Sequence, residues 1–597
     1  MKIPVSWITK GATLCCACAC VLAAPSPVQP TLANGESAQL NALGDELLAH
    51  MEATDVQVRV SRKLAVTNLD DFTPTRAARE TAFSVAALKK LNRIPLTHLS
   101  HNDWIFDRLL QHTFEKGVHA QEDYWFDFDV TPYHIWGVLN WEGRALAAQD
   151  LSTAAGRDNY LHLLDEVGRT LREIAAKTQE QAKRGIRVPQ PAIGGIRKTF
   201  EKFRDTATDM FVAASTRLAG ASTAEQREFD KAQAQTIATS IRPAYDEVLQ
   251  VFDEGYVARA PSAVGLGQYP GGMESYLRRI VYETGLQLTP QQIHDQGLAE
   301  VNVLENRLKA AREQLGFKGD RASFDQQLRT DPKFYAKSPQ ELEARYLSAI
   351  ARIEPHIPDF FSLRPEAPYA VKRLDAASES GMTFGTYVYP TLQDPHGYYL
   401  YNGSNLDKRP LFQVPHLIFH ELIPGHHFQI ALTRENKSLH PVCWLLRQPA
   451  FTEGWAEYAA QLAAEMGGYP DPYELYGHLL SQLFLTSRLV VDTGMNALGW
   501  PLEKARQYMR EHDFDSDALI ATETLRYSTD VPAQALNYRL GYDEFWTERK
   551  KAETALGKSF DIREFHAAAI GYGSMPLDVL QEHLDWFIAQ KQQQGKP

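Results

Sequence analysis

The stretch VPHLIFHELIPGHHFQ, Val414 to Gln429, cannot be one straight helix, and that constrains the chain more than any other feature. Pro415 suits the first turn of a helix, and HLIFHELI continues it with apolar residues. Pro424 then lacks the N–H that would bond the His420 carbonyl, and Gly425 tolerates backbone angles closed to other residues. On an uninterrupted helix His426 would point about 120° away from His420, and His427 would lie about 10 Å further along. A break at Pro424-Gly425 is therefore what carries His426 back towards His420, as if two residues had been inserted into HExxH. His427 is then left to hydrogen-bond a neighbouring group or a substrate, and stays the alternative ligand.

The reason to want those imidazoles together lies downstream, in FTEGWAEYAAQLAAE. Glu453 and Glu457 are four apart and share a helical face, whereas Ala459, Leu462 and Ala463 fall on another that can pack inward. Two histidines and one carboxylate, with a fourth position open to water, make a hydrolytic zinc site of one ion per chain. The expected ligands are His420, His426 and Glu453, with Glu421 as the base that acts on the water. Glu457 is expected to orient a histidine or complete the ligand shell. The same ligand set suits iron, but the adjacent Glu421 favours hydrolysis.

The rest of the chain reads as mainly α, a large multi-helical metallopeptidase-like fold with a small β-sheet before the metal-binding helix. Asn159 to Gly185 is strongly helical and stops at Gly185, with Pro189 and Pro191 beyond. Residues 200–252 read as long amphipathic helices, broken near Gly220 and at Pro243. Thr289-Pro290-Gln291-Gln292 is a helix start, with Thr at the cap and Gln three places on, and the helix runs to about Gln314. His294 within it is expected to pack. The spans 382–389 and 398–401 read as strands flanking a turn at Asp394 to Gly397, and a strand edge there could hold an extended peptide.

Residues 1–24 carry Lys2 and Lys10 ahead of a short Cys-Ala-rich apolar run, the pattern of an export signal, with cleavage between residues 23 and 33. A linker over 25–36 follows. The main body divides into a helical region at 37–362 and a metal-binding catalytic region at 363–591 packed with it, then a polar tail at 592–597. Four of the five cysteines lie in the first 24 residues, leaving Cys443 without a partner and no thiolate metal site. No Leu stands three places before any of those cysteines, which disfavours a lipoprotein anchor and leaves a periplasmic protein as the expectation. A net charge of −12 argues against a nucleic-acid partner. No later run of 18 uncharged apolar residues predicts an integral membrane segment.

With its spacing HExxPGHxxQ (His420, Glu421, Pro424, Gly425, His426, Gln429), the chain resembles the bacterial family known as domain of unknown function 885, DUF885. The likeness extends through EGWAEY (Glu453–Tyr458), RLVVDTGMNALGW (Arg488–Trp500), RYSTDVPAQALNYRLG (Arg526–Gly541) and FHAAAIGYGSMPLDVL (Phe565–Leu580). More distantly it resembles the helical zinc peptidases whose second motif is Glu-Gly-aromatic-Ala, here Glu453-Gly454-Trp455-Ala456. That resemblance implies a peptidase with the same ligands and base. The matching late segments offer Tyr527, Tyr538 or His566 as a donor to the oxyanion, and the planar guanidinium of Arg488 or Arg526 can bind a substrate carboxylate through two hydrogen bonds, unless these pair with Asp492 or Asp530. Gln534 lies in the same segment. Asn496 stands where the family tends to have His, so no proton carrier is available there. The expected substrate is a peptide or small amide. A peptide-binding protein with a structural metal and a zinc hydrolase of non-peptide amides or esters are the alternatives.

Overall fold

The computed structural model describes residues 35–375, 379, 384–391 and 394–594. The expected export signal, nearly all of the linker, residues 382–383 of the expected first strand and the last three residues of the tail lie outside them. Helix dominates, as its apolar periodicity predicts. The helix Ala154–Lys183 buries one face and gives way at Gly185, whose φ of 81° is the left-handed stop the sequence signals. At Pro243 the expectation fails. The chain passes through a π turn at Ile237–Ile241 directly into the helix Arg242–Val251, so the proline falls where its missing N–H is not needed.

Helix α1, Pro290–Gln314, starts at the expected capping box: the Thr289 side chain accepts from the Gln292 amide at 3.2 Å, and Gln292 Oε1 accepts from the Thr289 amide at 2.9 Å. His294 is buried and its Nδ1 lies 3.0 Å from Thr493 Oγ1, a packing role.

Three short strands follow, β1 (Tyr369–Arg373), β2 (Gly385–Val388) and β3 (Gly397–Tyr401). They form one sheet in the order β1-β3-β2, with β1 parallel and β2 antiparallel to β3. Tyr387 pairs with Tyr399, and Tyr369 with Gly397. Strand β1 lacks the alternation that marks the other two in the sequence. Tyr399 and Tyr401 turn inward against Tyr346 of the helix Pro339–Ile353.

The candidate site is carried by α2 (Val414–Glu421), α3 (His426–Glu435), α4 (Pro449–Glu465), α5 (Pro472–Asn496) and α6 (Asn537–Leu556). Two glycine contacts set their spacing. In α1, a Cβ at Gly297 would stand 2.8 Å from Val490 Cγ2, so α1 and α5 pack almost backbone to backbone. Between α4 and α6, a Cβ at Gly454 would meet Gly541 Cα at 2.4 Å, and one at Gly541 would meet the Ala450 carbonyl at 2.0 Å. The cores ignore residue 362. Leu489, Leu536 and Leu540 join the cluster of the first half, and Tyr346 and Ile353 join the cluster around α2 and α4.

Candidate metal centre

Helix α2 stops at Glu421, and the four residues Leu422 to Gly425 double the chain back before α3 starts at His426. The interruption is thus a full break rather than the kink of a continuing helix. Leu422 and Ile423 sink into the core around α2 and α4, which anchors the turn. Gly425 passes so close to α2 that a Cβ there would lie 1.9 Å from the His420 carbonyl oxygen and 2.5 Å from that of Phe419. Only glycine fits. The Pro424 carbonyl, freed by the turn, accepts from the Trp455 indole at 3.0 Å, so the EGWAEY segment holds the break from outside.

As a result His420 and His426 face one another, with ring centroids 4.6 Å apart and planes at 81°. Glu453 completes the group. Its Oε2 lies 3.5 Å from His420 Nε2 and 3.5 Å from His426 Nε2. These three side chains are the one group of three or more metal-type ligands that converges among the described residues. At 3.5 Å the contacts are too long for good hydrogen bonds. Bonds of about 2.1 Å to a tetrahedral ion put neighbouring ligand atoms about 3.4 Å apart, so the spacing fits such an ion. His426 Nδ1 is buried and has no protein partner.

The local field favours a cation. Burial pushes the His420 imidazolium down, but the carboxylates of Glu453 and Glu457 outweigh it and raise that group well above its ordinary value. Burial pushes the Glu453 carboxyl up, and the two imidazoles outweigh it in turn and hold it well down. Glu421 is half-buried beside this set. Burial raises its carboxyl above the ordinary range, against the pull of His420 and His426, and it accepts the backbone N–H of Tyr387 on β2. A carboxylate of raised basicity, held next to the ligand group, suits proton transfer.

Behind the ligands, Glu457 Oε1 accepts from His420 Nδ1 at 2.8 Å, which fixes the ring with Nε2 towards Glu453. Glu457 also lies 3.6 Å from His416, whose Nδ1 is 2.9 Å from His478 Nδ1, and His478 continues to Gln461 at 3.0 Å. Burial holds His416 down to about 4. Sequence reading missed this pair. His416 is four residues before His420 and so on its face, a legible signal, but nothing marks His478.

The other expected residues separate into those near the ligands and those elsewhere. His427 turns away. Its Nδ1 meets the Tyr387 hydroxyl at 3.0 Å and its Nε2 the Ala367 carbonyl at 2.9 Å, in a space left by Gly397. Both nitrogens of His566 are committed, to the Tyr458 hydroxyl at 2.7 Å and the Phe360 carbonyl at 2.8 Å. Burial holds that ring neutral, with its pKa down at about 3. Tyr527 is fully buried and its hydroxyl bonds Glu523. Of the three proposed donors, Tyr538 is the one beside the ligands: it feels the Glu453 charge and, with Glu457, lines a small cavity.

Arg488 and Arg526 pair with neither Asp492 nor Asp530. Both reach Glu523, at 3.2 Å each, and Arg526 also donates to Gln534 Oε1 at 2.7 Å. Asp492 is instead occupied by the Tyr276 hydroxyl at 2.6 Å and the Ala533 amide at 3.1 Å. Asn496 ties the end of α5. Its Oδ1 accepts from the Leu266 amide at 3.0 Å, and its Nδ2 donates to the carbonyls of Asp492 and Tyr527, each at 3.0 Å. It makes no contact with the ligand group, so the departure from His falls on a strut rather than on the centre.

The class is a mainly helical fold with a small three-stranded sheet, in which two histidines on either side of a helix break meet a glutamate from α4. The chain belongs to the bacterial family of unknown function DUF885, whose profile matches residues 52–584. No functionally curated protein matches it. Among solved structures, a protein from Colwellia psychrerythraea provisionally described as a lipoprotein superposes with a TM-score of 0.83 at 22% identity, over 93% of this chain and 99% of its own. A second, from Shewanella oneidensis, described as a provisional lipoprotein of unknown function, gives 0.67 at 18% identity, over 92% and 99%. At such identities the likeness establishes the fold alone. A provisional oligoendopeptidase F from Bacillus anthracis str. Ames aligns over 87% and 96% with a TM-score of only 0.27 and 10% identity, too low to carry weight.

Proposed function

We propose that this chain is an exported zinc-dependent hydrolase that cleaves peptide or related amide bonds in small or extended peptides. The observation that carries the reading is the convergence of His420 Nε2, His426 Nε2 and Glu453 Oε2, with Glu421 alongside. Zinc, held by His420, His426 and Glu453, would supply the Lewis acidity that activates water and polarises a carbonyl. Glu421 takes the proton of the attacking water and delivers it to the leaving nitrogen. Tyr538, which feels the Glu453 charge, is the donor we assign to the developing oxyanion, and Glu457 keeps His420 oriented. Strand β2 lies at the sheet edge and Glu421 accepts from its Tyr387 amide, so an extended peptide laid along that edge passes the base.

Export agrees with the Lys-flanked Cys-Ala run at residues 1–24 and with the provisional lipoprotein names of the two neighbours. Among the described residues no helix is long and apolar enough to cross a membrane.

The test is metal analysis of the purified chain together with turnover of matched peptide, amide and ester panels by the unaltered chain and Glu421→Gln. We expect one zinc per chain in both, with peptide or amide turnover lost at least a hundredfold in Glu421→Gln. Zinc absent from both would remove the reading. Zinc bound with peptides retained but uncleaved would make the chain a binding protein, and cleavage confined to esters would move it to a different hydrolase class.

A further inference from the structure

We propose that Arg526 and Arg488 form a subsite for the C-terminal carboxylate of a peptide, one tyrosine side chain away from the metal ligands. This rests on the hydrolase reading above. It makes the substrate class short peptides with a free C-terminus, cut near that end.

The placement follows from the glycine contact between α4 and α6. Gly454 is next to Glu453, and Gly541 is one helical turn after Tyr538, so the near-touching backbones bring Tyr538 alongside Glu453. On its other side the Tyr538 ring faces the Arg488 guanidinium, 4.9 Å from the ring centroid. Gln534 links the two sides. Its oxygen accepts from Arg526 Nη2 at 2.7 Å, and its amide bonds Tyr538. Tyr538, which feels the Glu453 charge, is thus linked by hydrogen bonds through Gln534 to Arg526.

The two guanidiniums are short of acceptors. Both share the same carboxylate, Glu523, which also takes the Tyr527 hydroxyl. Arg488 is buried on α5 and makes that one hydrogen bond among the described residues; its Nε is buried and unpartnered, as is the Nε of Arg526. Asp513 and Asp515 also feel the Arg488 charge, but among the described residues neither hydrogen-bonds its guanidinium, so the Arg488 Nε donor stays unmet. A buried guanidinium without its full set of acceptors is costly unless something supplies them, and a carboxylate matches the fork geometry.

Access is from the Arg526 side. Arg526, Gln534, Tyr538 and Glu453 are each only half-buried, whereas the residues behind them are closed off. The Arg526 guanidinium lies 5.2 Å from the ring of Tyr133, which is 52% exposed, and Trp136, one turn on, is 55% exposed. These large aromatics stand at the surface beside the one accessible arginine, where they can receive the apolar part of a terminal residue.

The experiment is calorimetric titration of a panel of N-acetylated tripeptides, each as the free acid and as the C-terminal carboxamide. The protein is the zinc-loaded full chain carrying Glu421→Gln, which binds without turning over. We expect the acids to bind about thirtyfold more tightly than the carboxamides, as a hydrogen-bonded charged group contributes. Arg526→Gln, half-buried and replaceable without emptying the core, should bring the two forms to parity, with Arg526→Lys between. Equal affinity of acid and amide, no binding of either, or a preference that survives Arg526→Gln would overturn the subsite. If acids are preferred through Arg526 but the unaltered chain cleaves none, the subsite stands and the hydrolase reading falls. If both forms are cleaved and bound alike, the reverse holds.

Discussion

Gly425→Ala is the sharpest test of how the centre is built, because it adds one methyl group and touches no ligand. The added Cβ would lie 1.9 Å from the His420 carbonyl oxygen, where real contacts do not fall below 3.0 Å, and 2.5 Å from the Phe419 oxygen. Neither neighbour is a side chain that can swing away. The turn must therefore retreat from α2 by about 1 Å, and His426, the next residue, moves with it. Packing offers no slack, since Leu422 is fully buried and Ile423 only 1% exposed. Overpacking of this kind costs about 3 kcal/mol. Moving one ligand of three by about 1 Å should cost at least the roughly hundredfold in metal affinity seen when only an outer partner is lost. Chelator competition gives the apparent zinc dissociation constant, and thermal unfolding gives the stability. We expect weaker zinc binding by about a hundredfold or more together with a lower midpoint. A variant that binds zinc as tightly as the parent would refute the idea that the break positions His426.

Three further outcomes follow from single contacts. Glu457→Gln keeps the shape but weakens the 2.8 Å bond that orients His420, so chelator competition should show zinc affinity lower by about ten- to a hundredfold with the fold unchanged. Asn496→Ala strands the buried Leu266 amide and Tyr527 carbonyl, and should destabilise by about 2–4 kcal/mol in denaturant titration while leaving zinc affinity as it was. His566 is held neutral in the fold down to about 3 but protonates near 6.5 when unfolded. The unfolded chain thus binds the extra proton between those values, and the stability of the parent relative to His566→Gln should fall by about 1.4 kcal/mol per pH unit on acidification below 6.5. A difference that stays constant between pH 7.5 and 5 would contradict the neutral assignment.

Much of the fold is written locally. Helix starts such as Thr289-Pro290-Gln291-Gln292 and stops such as Gly185 depend on groups within four residues of one another, so sequence alone places them. Strand β1 was illegible because its register comes from β3, more than twenty residues later, and not from its own alternation. The continuation through Pro243 was hidden for a related reason. Proline forbids a helical hydrogen bond at a given spacing, and the π turn before it changes that spacing.

The candidate centre divides along the same line, and the division explains what its motif requires. His420, Glu421 and His426 are near neighbours, so Pro424-Gly425 already implies a return of the chain. What the sequence cannot state is which surface the chain returns to, and that is decided by α4. One helix supplies Glu453 to the ligand group, Glu457 to the back of His420 and the Trp455 indole to the Pro424 carbonyl. Glu453 and Glu457 stand on one face, and Gly454 clears the next so that α6 can come close enough to bring Tyr538 to the site. The spacing Glu-Gly-Trp-Ala-Glu is then one geometric solution, with each residue occupied by a different neighbour. His566, Tyr527 and Asn496 bond core groups rather than the ligand group, because a polar side chain in a core-forming segment finds a partner in the core first. Arg488 and Arg526 differ from them in having more donors than the core supplies acceptors, and a surplus of that kind becomes visible only once every partner in three dimensions has been counted.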